Sequence, residues 1–113
     1  MKKRTWQLWA HVQRFHDGDT WYGYVDLSAH FYIGTDDRPV RFRCALIQAP
    51  ELSTGEPGAA ATAYASKLAP PGDYPCTSTG LDNYGRPIVD LHLPDGSLFS
   101  QRMLAAGMAV PYR

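Results

Sequence analysis

The chain has 113 residues, enough for one hydrophobic core and a single domain but not for two. Lys and Arg together number 11, as do Asp and Glu, so the formal net charge is zero and no overall positive field draws the chain onto a polyanion. Any polyanion site must be local, and the two cysteines, Cys44 and Cys76, are too few for a zinc site or a disulfide framework and read as small buried hydrophobes.

The start, "MKKRTWQLWAHVQRF", is basic, but Gln7, His11, Gln13 and Arg14 interrupt any apolar run of the length a secretory leader needs. A soluble, cytoplasmic monomer without a membrane span is expected, with Lys2, Lys3 and Arg4 forming a solvated end. Trp6, Leu8, Ala10 and Val12 alternate with Gln7, His11 and Gln13, the period of two that marks a strand with one buried face, and this strand reaches about Phe15. "TWYGYVDL" and "AHFYIG" follow as aromatic and β-branched strands, their rings mostly barrel wall. "TDDRPV" then turns into "VRFRCALI", where Val40, Phe42, Cys44 and Leu46 alternate with Arg41, Arg43 and Ala45. After the break "QAPELSTGEPG" comes "AAATAYASKLA", a helix of about three turns with Pro57 suited to its first turn and "PPG" at 70–72 stopping it. "YPCTST" and "PIVDLHL" are two more strands around "GLDNYGR". "PDG" leads into "SLFSQRMLAAG", whose Phe99, Met103 and Ala106 share a helical face and whose Gly107 can close the end.

About five strands in a meander, a helix between the third and fourth and a second helix near the end predict a mainly β, α+β fold: a Greek-key barrel of the OB type. Such a barrel carries its function on one face and the adjoining loops, so polar residues at strand ends are the place to search. "HDGDT" sets Asp17 and Asp19 around one glycine after the first strand. Alone it is a common hairpin signal, and it does not make an EF-hand, because Tyr22 stands where that loop needs glycine and Ser28 where it needs a bidentate Glu. Two further clusters change its weight. "RFRCALIQAPE" puts Arg43 on the strand face opposite Phe42 and Cys44 and Glu51 in the loop after it, and "DNYGR" puts Arg86 on a tight glycine turn. Two guanidiniums and acidic groups from three strand ends are the parts needed to hold a phosphodiester, a hard cation and an attacking water together.

At these three motifs, over about residues 8 to 112, the sequence resembles the staphylococcal nuclease, or thermonuclease-like, family. The resemblance implies an OB barrel that hydrolyses DNA and RNA to 3'-phosphate ends with a calcium ion. It implies Asp19 as a calcium-binding carboxylate, Gln48 where the family usually has a second metal-binding Asp, and Ala49 where a backbone carbonyl ligates. It further implies Glu51 as general base or water organiser, Arg43 and Arg86 as the phosphate-gripping arginines, and Tyr84 and Tyr112 at the nucleotide. The "VDLSAHF" segment looks like a longer hairpin of bacterial and phage members, so a phage source is one expectation. Two departures stand out. Gln48 keeps an oxygen but lacks a charge, and the family's third helix has no counterpart in the sequence. A catalytically silent nucleic-acid or protein-binding module of the same fold is therefore the alternative. His16 is expected to be solvent-exposed, and His11, His30 and His92 to be strand residues without ligand spacing.

Overall fold

The structure is a computed structural model that describes residues 6–27 and 31–112, apart from the side chains of Trp6, Gln7 and Thr79. The expected solvated end at Lys2 to Arg4 and the strand position of His30 lie outside the described residues. In chain order come β1 (Trp6–Asp17), β2 (Thr20–Asp26), β3 (Tyr32–Ile33), β4 (Val40–Cys44), β5 (Ile47–Gln48), a 3-10 turn (Leu52–Thr54), α1 (Glu56–Leu68), β6 (Gly72–Leu81), β7 (Pro87–Leu91), α2 (Phe99–Ala105) and β8 (Val110–Pro111).

β1 pairs antiparallel with both β2 and β6, β6 pairs with β7, β7 runs parallel to β4, and β4 returns to β2. These five strands close into a barrel, leaving β3 on the flank of β2 and β5 paired with β8. The fold is mainly β with two helices among the described residues, an OB-like α+β architecture. Closure satisfies the edge hydrogen-bonding groups that an open sheet would leave for another chain.

β1 runs further than its alternation predicts. Ala10 and Val12 are buried, and then an irregularity between Val12 and Arg14 moves the buried set to Phe15 and Asp17. A bulge inserts one residue and so exchanges the two faces of the strand. In the core Trp21 stacks on Phe42 at 4.4 Å between ring centres and Phe15 on Phe99 at 5.3 Å, together with the buried Val12, Val25, Ile47, Val89, Leu91 and Met103. Of the other aromatics, Trp9, Phe31 and Tyr32 are exposed and Tyr22 and Tyr24 half-buried, so the outer surface holds more rings than expected.

α1 begins with Pro57 in its first turn, has Glu56 at its positive end and Lys67 at its negative end, and packs on β1. Its buried face is Gly58, Ala61 and Ala65, small enough to let the backbones approach closely. α2 buries Phe99, Ser100 and Met103, whereas Ala106 is exposed. The helix stops at Ala105, Gly107 turns with φ 71° and the Met108 N–H returns to the Met103 carbonyl, so Ala106 never reaches the core face. The strand expected over 40–47 is also interrupted. Ala45 is buried, and Leu46 is exposed with φ 68°, because the chain reverses there to pair Ile47 and Gln48 with Pro111 and Val110. Both cysteines are free and buried; burial pushes the Cys76 thiol up to about 12 and the Cys44 thiol well above its ordinary value, so both stay protonated and packed. No helix among the described residues is long and apolar enough to cross a membrane.

Candidate functional site

The two carboxylates of "HDGDT" grip one loop. Asp17 Oδ1 accepts the Leu52 N–H at 2.8 Å, and Asp19 Oδ2 accepts the Ala49 N–H at 2.8 Å. Gly18 between them is a packing requirement, since a Cβ there would stand 2.9 Å from the Ala49 Cβ and 3.0 Å from that of Ala61. The β1–β2 turn is thereby pressed against the loop carrying Gln48, Ala49 and Glu51 and against α1. Gly58 on α1 serves the same loop from below, its missing side chain making room for the Glu51 carbonyl.

Arg43 reaches this turn from β4. Its Nη1 lies 2.7 Å from Asp19 Oδ2, its Nη2 donates to the Ile47 carbonyl at 3.0 Å, and it is nearly as buried as the core. Thr20 Oγ1 donates to Asp19 Oδ1 at 3.0 Å, completing a carboxylate with three donors around it. Arg86 comes from the β6–β7 turn, where Asp82 organises everything: Oδ1 accepts the N–H groups of Tyr84 and Arg86, and Oδ2 accepts Arg86 Nε at 2.6 Å. Gly85 supplies the positive φ of 78° that the turn needs. With Nε committed, the Nη groups of Arg86 are the ones left to face a ligand.

Tyr112 reaches the site because β8 pairs with β5, so that its N–H donates to the Leu46 carbonyl and its ring lies 4.9 Å from the Arg43 guanidinium carbon. Tyr84 is almost fully exposed, with Arg86 over its ring at 5.6 Å. Asp19, Arg43, Gln48, Ala49, Glu51, Tyr84, Arg86 and Tyr112 all line one cleft of about 340 Å³ at the barrel rim. No protein-family model matches the chain, and no curated protein matches it either.

Besides Asp17 of the turn itself, three lining residues were missed by sequence reasoning: Thr20, His16 and Arg41. His16 lines the cleft, half-exposed and edge-on to Tyr22, where open solvent was expected. Arg41 was read only as the polar alternation of a strand, yet it lines the cleft too. Its signal was the Arg-Phe-Arg spacing, which puts Arg41 and Arg43 on one face. His11 instead stacks on Tyr24 and pairs with Asp73 on the outer wall, away from these residues.

Among the described residues no three His, Cys, Asp or Glu side chains gather into a metal-binding group. Of the residues that line the cleft, those the resemblance implicates in metal binding and water activation bring oxygen donors: the Asp19 carboxylate, the Gln48 amide, the Ala49 backbone and the Glu51 carboxylate. A carboxylate has about four lone-pair positions and Asp19 uses three, leaving one on Oδ1. That set fits a hard cation that keeps several waters, with calcium admissible and thiophilic metals disfavoured.

Proposed function

We propose that this cleft hydrolyses the phosphodiester bonds of DNA or RNA, acting as a calcium-dependent monomer with little sequence preference and leaving 3'-phosphate ends. One observation carries the reading: Asp19, Arg43, Glu51 and Arg86, brought from four separate segments, line the same cleft as Tyr84 and Tyr112. A phosphodiester is already anionic, and its five-coordinate transition state gathers more negative charge, so neutralisation is the main task. Arg86 meets it with its Nη groups and Arg43 with the N–H groups not spent on Asp19 and Ile47, each able to bond two phosphate oxygens while staying charged. Among the described residues the exposed Glu51 carboxylate meets only the Ser53 hydroxyl, at 3.4 Å, which leaves it able to hold and deprotonate a water. Tyr84 and Tyr112 offer faces for the base or sugar beside the phosphate. Calcium, held by Asp19 with Gln48 and the Ala49 carbonyl, would supply further positive charge at the phosphate oxygens.

The catalytically silent module has its own support. The Asp19 carboxylate is shared with Arg43, and Gln48 brings no charge, so the cation would meet one partly neutralised carboxylate. Purified protein incubated with denatured DNA, with Ca²⁺ in one tube and a chelator in the other, separates the readings: cleavage only with calcium supports the nuclease, and binding without cleavage in Ca²⁺, Mg²⁺ and Mn²⁺ alike overturns it in favour of the module.

A further inference from the structure

Register places three side chains in a row on the outer wall of the barrel. Arg14 on β1 is the direct partner of Tyr22 on β2, and Tyr22 is the direct partner of Arg41 on β4. The Tyr22 hydroxyl accepts from Arg41 Nε at 3.2 Å and Nη2 at 2.7 Å, while the Arg14 guanidinium lies over the same ring at 4.1 Å from its centre and that of Arg41 at 5.4 Å. Both arginines are exposed and Tyr22 is half-buried, so the row faces solvent.

The charges in this row are uncompensated. Arg43, Arg86 and Arg102 each lie within 2.7 Å of a carboxylate, but among the described residues neither Arg14 nor Arg41 has one within 4.0 Å. In a chain whose charges balance at 11 against 11, two unpaired cations held on one ring form a local positive site of the kind composition alone does not reveal. The row is continuous with the cleft, because Arg41 lines it and His16, which also lines it, stands edge-on to Tyr22 at 5.8 Å.

We infer that Arg14, Tyr22 and Arg41 form a track for the phosphate backbone of a nucleic-acid strand that continues beyond the cleft. The inference rests on the reading of the cleft as a phosphodiester site. Guanidiniums bond phosphate oxygens two at a time, and packing on Tyr22 orders them beforehand, which lowers the entropy lost on binding. The ring serves as their support. With Arg14 over it, the track reads backbone and not bases, so it adds affinity for strand length without adding sequence preference.

The test is binding in chelator, where turnover does not enter. Labelled single-stranded oligonucleotides, one of two nucleotides and one of about a dozen, are titrated against wild-type protein, Arg14→Gln and Arg14→Lys over a salt series. Loss of one phosphate contact should flatten the slope of log affinity on log salt by about 0.7 and weaken the long strand about fivefold near 0.1 M salt. Dinucleotide affinity should not change, and Arg14→Lys should keep the slope. Arg41→Gln provides a second variant should Arg14→Gln lose its fold by circular dichroism, and should also flatten the slope. Wild-type slopes in the folded Gln variants, or equal weakening of short and long strands by Arg14→Gln, would overturn the track. A length-dependent loss in a protein that never cleaves DNA would sink the nuclease reading and leave the track standing.

Discussion

Arg43 Nη1 and Asp19 Oδ2 are 2.7 Å apart, and each side chain is only 10% exposed. The pair ties β4 to the β1–β2 turn, so the group expected to grip phosphate and the group expected to bind metal also hold each other in place. Removing one partner leaves the other charge buried and alone. Arg43→Gln or Asp19→Ala should therefore cost about 3 kcal/mol or more of unfolding free energy, with the double variant losing well under the sum. Urea unfolding of the three proteins measures it; single losses below about 1 kcal/mol would show that the pair is more solvated than its geometry indicates.

Glu51 and Arg86 give a cleaner report on chemistry, since Glu51 is exposed, Arg86 half-exposed, and neither supports the core. Glu51→Gln and Arg86→Ala should each lower turnover at least about a hundredfold, because each removes an interaction that strengthens in the transition state. The unfolding midpoint should stay put in Glu51→Gln, whereas Arg86→Ala also takes the guanidinium from the Asp82 carboxylate, so its turnover is read at a temperature where the variant is shown to be folded. Near-normal turnover in either variant means that the residue does not act on the phosphodiester.

Asp82 aims Arg86. Partial desolvation opposes its ionisation, but the N–H groups of Arg86 and Tyr84 and the Arg86 guanidinium outweigh that and hold its carboxyl below the usual 3.8. A depressed folded value means that the stabilisation is complete above the unfolded pKa and disappears as pH falls through the folded one, so the turn should hold above about pH 4 and loosen below. The amide resonances of Tyr84 and Arg86 should titrate with a midpoint under 3.8. Asp82→Asn, which keeps an acceptor oxygen but loses the charge, should abolish that titration and lower activity about tenfold through Arg86.

Gln48 is exposed and lines the same cleft as Asp19, the carboxylate to which the proposed function assigns calcium. Gln48→Asp should tighten calcium binding about tenfold or more, since a second carboxylate contributes on the order of 1 to 4 kcal/mol in a partly hydrated site. Activity at low calcium should rise with it, whereas Asp19→Asn should nearly abolish both. Calorimetric calcium titration of the three proteins checks this; an unchanged or weaker affinity in Gln48→Asp would mean that position 48 does not face the metal.

Gly58 is buried on α1 with its would-be Cβ 1.9 Å from the Glu51 carbonyl oxygen. No rotamer relieves a clash with backbone, so Gly58→Ala must push the Glu51 loop away. Despite the better helix propensity of alanine, the variant should lose about 1 to 3 kcal/mol of stability and most of its activity. Unfolding and nuclease rate on the same preparation test the link, and a stabilised, fully active variant would refute it.

Local features were legible without coordinates. The strand over Val40–Cys44, the helix behind Pro57 and its stop at Pro70, and the glycine turn under Arg86 each depend on residues a few positions apart, and the structure has all of them, although Arg43 on the polar side of that strand is buried as well. The three motifs likewise pointed to residues that the barrel brings to one cleft. Other features belong to pairings that span the chain. The bulge near Gln13, past which Phe15 turns inward, lies where β1 leaves β6 and continues along β2, and the reversal at Leu46 leads into the pairing of β5 with β8. The capture of Asp19 by Arg43 and the Arg14, Tyr22 and Arg41 row follow from the register of β1, β2 and β4. Sequence periodicity specifies which face of a strand is apolar, because burial acts on each residue separately. It does not specify which polar side chains stand opposite one another, because that is settled only when the barrel closes and every strand has taken its register.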